Sequence, residues 1–224
     1  MDIAEWFQQG GFFMWPILAC AVVGAALSLE RAFFIYLRAA IHAPAFVAQI
    51  QRDVVDGNLD TAVRLCNAEP GAILPRVLKA GLLRADRPEQ EVRDALEEVA
   101  LEVYPIVTRR IALLPMLANV ATLLGLLGTI QGLITCFHAV GEADVEARST
   151  ALAEGIAVSM NTTFAGLCVA VPILVMHAII AGRANNILDE VDHYSLKLVN
   201  LLNALRRGAG RSEGGGSPIL PFRG

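Results

Sequence analysis

Two long apolar stretches of this 224-residue chain each carry a line of small and hydroxylated side chains. Steps of four and three residues alternate along the first line, so its members share one face of a helix. Hydroxyl groups donate and accept hydrogen bonds, and such a face can order water or bond to a titratable group. The first line is Ala118, Thr122, Gly125, Thr129, Gly132 and Cys136, and the second is Gly155, Ser159, Thr163, Gly166 and Ala170. The pattern predicts a packed, polar-lined helix interface or conduit.

The composition indicates that these helices lie in a membrane. Hydrophobic residues make up 55% of the chain, charged residues make up 18%, and the mean hydropathy is +0.53. These values are too apolar for a typical soluble domain, and the net charge of −4 gives no reason to expect a nucleic-acid partner. Residues 12–36, 111–140 and 155–181 each exceed the about 20 helical residues that cross a bilayer. In lipid, helices associate through small residues that let their backbones approach.

The second and third apolar stretches lack acidic side chains that could carry protons. No Asp, Glu, Lys or Arg occurs in residues 111–137 or 155–181, although ionisable residues mark ion routes through membranes. If the chain conducts protons, the carboxylate that carries them must therefore come from another chain, and Thr129 and Thr163 would exchange hydrogen bonds with it. Alternatively, the hydroxyls bond back to carbonyl groups of their own helix and only tighten the packing.

The distribution of positive charge predicts the orientation. Residues 1–30 contain no Lys or Arg, whereas the connection 37–110 contains ten. Because Lys and Arg are enriched in cytoplasmic loops, we expect the N-terminus in the periplasm and the long connection and the C-terminus in the cytoplasm. The link 141–154 carries one arginine against several carboxylates, which agrees with a periplasmic position.

The whole pattern predicts an all-α membrane protein whose long second and third helices extend into a helical cytoplasmic domain. No nucleophile, metal cluster or phosphate-binding loop is recognisable, so we expect neither an enzyme nor a cofactor. Both small-residue lines need burial, and we expect a homo-oligomer because three helices of one copy would not bury both. The predicted segments are the periplasmic N-terminus 1–11, the spans 12–36, 111–140 and 155–181, the cytoplasmic helical loop 37–110, the periplasmic link 141–154, the helical extension 182–207 and a disordered tail 208–224.

Three motifs resemble the MotA/TolQ/ExbB proton-channel family, most closely its TolQ/ExbB side. The run Leu123-Leu-Gly-Leu-Leu-Gly-Thr-Ile-Gln-Gly-Leu is similar to the signature of that family's second membrane helix. Thr163-x-x-Gly-Leu-x-x-Ala-x-Pro172 is similar to its third-helix motif, and Ser28-x-Glu-Arg31 resembles the charged pair that ends its first helix. The resemblance implies an inner-membrane stator subunit. Such a subunit forms a pentameric ring around a dimeric, single-span partner of the ExbD/TolR/MotB type, and uses the proton motive force to energise envelope transport or motility.

The resemblance also assigns roles to particular residues. It places Thr129 and Thr163 on the proton path, beside a carboxylate of the partner. Val158 stands where many relatives have a glutamate, and Glu154, one turn away, either replaces it at the pore mouth or is a solvated acid at a helix start. A non-conducting scaffold that assembles partner helices is the alternative function. The full set of predicted path or pore-lining residues is Thr122, Gly125, Thr129, Gly132, Glu154, Ser159, Thr163 and Gly166.

Overall fold

The computed structural model describes residues 11–39, 41–142 and 146–213. Within these ranges every regular element is helical, and a π-helical segment, Phe34–Ala39, follows α1. The helices are α1 (Met14–Phe33), α2 (Ala43–Val55), α3 (Leu59–Ala68), α4 (Ile73–Leu82), α5 (Glu89–Thr108), α6 (Leu113–Glu142) and α7 (Arg148–Glu213). Three of them, α1, α6 and α7, are long and apolar enough to cross a membrane. The chain is therefore an all-α, multi-pass membrane protein.

The chain divides into two compact units. The membrane unit comprises Met1–Phe34 and Thr108–Arg183, and the helical unit comprises Ile35–Val107 and Ala184–Gly224. In the membrane unit, Met14 and Ile17 of α1 pack with Ala165 of α7. One face of α1 thus lies against α7, and α1 also packs along α6. These contacts hold α6 and α7 beside a common neighbour.

In the helical unit, short amphipathic helices bury their apolar faces. Val77 and Leu78 of α4 and Val92 of α5 are almost fully buried, and Gly81 of α4 lies directly against Leu96. The Tyr104 hydroxyl of α5 donates to the Asp192 carboxylate. Polar contacts that tie this unit together include Arg206 to the carbonyl oxygen of Ala85 (2.8 Å), Arg76 to Glu102 (3.1 Å) and Arg84 to Glu98 (3.8 Å).

Several boundaries differ from those predicted. Helix α7 begins at Arg148 rather than at residue 155, and α6 continues to Glu142, so the link predicted at 141–154 is shorter. Helix α7 also continues to Glu213, which makes the first part of the predicted disordered tail helical. The predicted extension of the second span is interrupted by turns at residues 109–112. Residues 1–10 of the predicted N-terminus, 143–145 of the link and 214–224 of the tail lie outside the described residues.

Candidate functional site

The small residues of α6 and α7 pack against one another in a contact that we call the α6–α7 seam. A Cβ atom added at Gly166 would lie 2.7 Å from the carbonyl oxygen of Ala121, and one at Gly125 would lie 3.1 Å from that of Thr162. Both distances are shorter than ordinary van der Waals contact, so glycine is what allows the two backbones to come so close. The seam consists of Gly125, Gly128, Gly132 and Cys136 on α6 and Gly155, Ser159, Thr162 and Gly166 on α7.

Thr129 of α6 and Thr163 of α7 meet beside the α6–α7 seam, and we call them the threonine pair. Their Oγ1 atoms are 2.7 Å apart, the usual length of an O–H···O hydrogen bond. The Thr163 hydroxyl is also 3.0 Å from the carbonyl oxygen of Gly125, and the Thr129 hydroxyl is 2.9 Å from that of Leu126. Each hydroxyl has a single proton. The two protons can therefore be arranged in more than one way without creating a charge.

Other predicted path residues bond within their own helix. The Thr122 hydroxyl donates to the carbonyl oxygen of Ala118 (3.0 Å), and the Ser159 hydroxyl donates to that of Gly155 (2.7 Å). Thr135, on the same helix as Thr122, donates to Gln131 in the same way (3.0 Å). This is the back-bonding that the sequence left open as an alternative. Thr129 and Thr163 differ from these residues because their hydroxyls also meet across the seam.

The packing of α6 against α7 removes one of the reasons for expecting a homo-oligomer. The sequence suggested that one copy could not bury both small-residue faces. In the structure the two faces bury each other, because Ala118 and Ala121 of α6 and Ser159 of α7 are almost inaccessible within a single copy. The small residues therefore account for hairpin packing, and they do not by themselves require a second copy.

Glu154 lies in a different environment from the threonine pair. Its side chain lines a cavity of about 490 Å³ whose wall also includes Gln131, Thr135 and Val158, whereas neither Thr129 nor Thr163 contributes to that wall. Among the described residues, no group of three or more His, Cys, Asp or Glu side chains is placed to hold a metal ion. The cavity thus offers one carboxylate among neutral groups, and the structure does not bring Glu154 to the threonine pair.

Sequence reasoning missed part of the seam. Gly128 packs against the side chain of Thr162, and Thr162 is only 2% exposed, but neither was selected as a site residue. Gly128 lies three residues after Gly125, so its helical spacing was an available signal. Thr162 precedes Thr163 directly, and spacing alone could not show that both neighbours contact α6.

A charged cluster of Glu30, Arg31 and Arg110 lies at the C-terminal end of α1. Arg110 holds the Glu30 carboxylate through both oxygens, at 2.6 and 2.8 Å, and Arg31 is 3.4 Å from one of them. Arg110 adopts a positive φ of 63°, a conformation that non-glycine residues rarely take. It lies in the turn between α5 and α6, so the ion pair fixes the start of α6 against the end of α1.

A sequence profile of the MotA/TolQ/ExbB proton channel family matches residues 69–193. This range includes α6, the part of α7 that forms the seam, and both threonines of the pair. The match therefore covers the α6–α7 seam, the threonine pair and all of the chain from α4 to α6, whereas α1 lies outside it.

Individual relatives extend the similarity over most of the chain. A Methanothermobacter thermautotrophicus protein, named as a homologue of the biopolymer transport protein ExbB, is 28% identical over 190 residues, which are 85% of this chain and 67% of the relative. A Synechocystis protein named ExbB-like is 31% identical and covers 82% of this chain and 72% of its own length. The biopolymer transport protein exbB1 of Vibrio cholerae is 29% identical, with 87% and 85% covered.

Proposed function

The chain belongs to the MotA/TolQ/ExbB proton channel family, and from this premise we propose that it is the ring-forming subunit of a proton-driven stator. In this proposal it works in the bacterial inner membrane, with the N-terminus in the periplasm and the C-terminus in the cytoplasm. It uses the proton motive force to energise envelope transport or motility. The names of the relatives, which refer to biopolymer transport, favour transport.

The observation that carries this proposal is the hydrogen bond between Thr129 and Thr163. Two hydroxyls in contact can pass a hydrogen bond between them, and a carboxylate that approaches the pair can accept from one of them when ionised and donate to it when protonated. Such a pair lowers the cost of holding a carboxylate in the membrane in either state, because charged groups there need hydrogen-bonding partners.

The proton-carrying carboxylate is assigned to a partner. Residues 111–137 and 155–181 contain no Asp, Glu, Lys or Arg, so the apolar parts of α6 and α7 supply hydroxyls and no acid. A dimeric protein with a single membrane span, of the ExbD/TolR/MotB type, provides the acid in this proposal. The ring around it is a homo-oligomer, a pentamer as the family resemblance implies, and protons are the transported ion.

Other predicted residues support the threonine pair in this proposal. Gly125, Gly132 and Gly166 set the spacing of α6 and α7, while Thr122 and Ser159 line the same edge on either side with hydroxyls that bond to their own backbone and exchange no proton. Glu154 acts at the periplasmic end, where protons enter, and its carboxylate lines a cavity together with Gln131 and Thr135. Its contribution is therefore to attract protons at the periplasmic end, away from the threonine pair.

A non-conducting scaffold is the second candidate function, and the back-bonding of Thr122 and Ser159 favours it. A hydroxyl that is satisfied within its own helix needs no proton-carrying partner. In that case the same seam holds the hairpin together for purely structural reasons, and the hydroxyls of the threonine pair only add to the packing.

Replacement of each threonine by valine distinguishes the two functions. Valine keeps nearly the same shape and lacks the hydroxyl, so we expect Thr129→Val and Thr163→Val to assemble normally and to lose proton-dependent activity. Serine at either position should retain more activity because it keeps the hydroxyl. Assembly is measured by native mass spectrometry, and proton flux is measured in vesicles that also contain the partner.

Thr122→Val is the matched control, because Thr122 lies on the same helix and its hydroxyl bonds to its own backbone. We expect this variant to assemble and to conduct. If Thr129→Val and Thr163→Val also conduct at the wild-type rate, the threonine pair is a packing device and the proposed proton path is wrong.

A further inference from the structure

A groove in the membrane unit contains a buried hydroxyl that has no hydrogen-bond partner in the described part of the chain. The groove has a volume of about 400 Å³ and lies between α1 and α7. Its wall is apolar apart from the side chain of Ser28, which is only 4% exposed. The Ser28 Oγ has no hydrogen-bond partner among the described residues. Residues that line the groove include Ala21, Ala25 and Ser28 of α1 and Pro172 and Met176 of α7.

The shape of the groove follows from its sequence. Ala21, Ala25 and Ser28 are small and recur every three or four residues, so they leave one face of α1 without bulk. Opposite them, Pro172 lies inside α7, where a proline removes a backbone hydrogen bond and bends the helix. From Ala21 to Ser28 the groove runs for about 10 Å along α1 at the rise of an α-helix. It is thus long, narrow and apolar, as an extended hydrocarbon chain requires.

Positive charge lies just beyond the polar end of this groove. Arg31 follows Ser28 by one helical turn, and Arg183 follows Met176 by two turns on the same face of α7. The Arg183 Nε atom is buried and has no hydrogen-bond partner among the described residues. One carboxylate, Glu30, is already shared by Arg110 and Arg31. The end of the groove therefore carries more positive than negative charge.

From these three observations we infer that the groove binds one anionic glycerophospholipid. An acyl chain lies along Ala21 and Ala25, an ester carbonyl accepts a hydrogen bond from the Ser28 hydroxyl, and the phosphate lies near Arg31 and Arg183. The spacing suits this order of groups, because Ser28 and Arg31 are separated by about 4.5 Å along the helix axis. Arginine binds phosphate through charge-assisted hydrogen bonds, and clusters of basic residues at a membrane surface attract anionic lipids. The inference does not depend on proton conduction.

Native mass spectrometry of the purified full-length protein in mild detergent tests this inference. The probes are phosphatidylglycerol, which is anionic, phosphatidylethanolamine, which is zwitterionic, and a diacylglycerol of the same acyl chains, which has no phosphate. We expect phosphatidylglycerol to bind at least about fivefold more tightly than the other two, which corresponds to one arginine contact at a membrane surface. Equal binding of all three lipids would overturn the assignment of the phosphate to the arginines.

Two pairs of variants locate the site. Ala25→Leu fills the groove, and Ala26→Leu makes the same change at a neighbouring residue that does not line it. Arg183→Gln removes a charge at the polar end of the groove, and Arg148→Gln removes one at the opposite end of the α7 span. We expect Ala25→Leu to abolish phosphatidylglycerol binding, Arg183→Gln to weaken it about fivefold, and both controls to leave it unchanged.

Ser28→Ala tests the hydroxyl separately. The Ser28 hydroxyl bonds to none of the described residues, so this variant should fold and assemble as the wild type does, while its binding of phosphatidylglycerol weakens. The mass spectra report the oligomer mass and the bound lipid together, so a folding defect cannot be mistaken for a loss of lipid. Unchanged lipid binding in Ala25→Leu would show that the groove is not the site.

Discussion

Replacement of Gly166 by alanine measures how much the function depends on close contact between α6 and α7. The added Cβ atom would lie 2.7 Å from the carbonyl oxygen of Ala121, whereas ordinary contact begins at 3.4 Å. The obstructing atom belongs to the backbone, so no side chain can rotate to make room. The two helices must therefore move apart by several tenths of an ångström.

The same movement acts on the threonine pair. Gly166 follows Thr163 by one turn, and the Oγ1 atoms of Thr163 and Thr129 are 2.7 Å apart. A shift of several tenths of an ångström takes this distance beyond the range of about 2.5–3.0 Å for an O–H···O hydrogen bond. Overpacking of a helix contact costs about 1–3 kcal/mol. For a chain of this length such a loss lowers the melting temperature by about 2 to 12 °C.

The assay compares Gly166→Ala with Gly182→Ala on the same helix. An added Cβ at Gly182 would meet no atom of the described residues within 4 Å, so this control makes the same chemical change without a clash. It should melt at or above the wild-type temperature, because alanine favours a helix over glycine. We expect Gly166→Ala to melt lower and to lose proton flux. If the two variants melt at the same temperature and conduct equally, the backbones are not in contact at Gly166 and the reasoning is refuted.

Two further predictions concern the helical unit and the topology. Burial raises the pKa of the Cys66 thiol to about 11, although Lys79 opposes this shift. The folded state therefore favours the neutral thiol, which adds about 2–3 kcal/mol to the free energy of unfolding. This stabilisation should be complete below pH 9 and should be lost as the pH rises from 9 to 11. Denaturant unfolding of wild type and Cys66→Ala at pH 8 and 11 measures it, and an equal alkaline loss in both would contradict it. For topology, a membrane-impermeant thiol reagent should label Glu146→Cys in intact cells and Asn67→Cys only after lysis, and the reverse pattern would invert the proposed orientation. Both positions are exposed, whereas Cys66 is buried and makes a poor reporter.

The sequence predicted which helix faces are small, but it could not predict what covers them. Steps of four and three residues place Gly125, Thr129 and Gly132 on one face, and in the structure this face packs against α7. Spacing within a helix carries no information about the partner, which is why packing within one chain was mistaken for evidence of packing between chains. The ion pair of Glu30 with Arg110 was missed for the same reason, since 80 residues separate its members.

The differences between the predicted segments and the observed helices have local causes. The predicted third span begins at residue 155, where the stretch without charged residues begins, yet the helix starts earlier because Ala151, Leu152, Ala153 and Glu154 are all strong helix formers. At the other end of the second span, the turn at residues 109–112 is formed around Arg110 in a positive-φ conformation. No Gly, Asn or Asp marks it in the sequence, so a continuous helix was the reasonable expectation.

The back-bonded hydroxyls also bear on how the hairpin is made in the cell. Thr122 and Ser159 satisfy their hydrogen bonds within a single turn of their own helix, so neither hydroxyl needs a partner on the other span when its helix enters the bilayer. Helices that are stable separately can associate afterwards. The contact between Thr163 and the Gly125 carbonyl oxygen, in contrast, joins two spans, and it forms only once the hairpin has closed. The threonine pair is therefore created by the closure that brings α6 against α7.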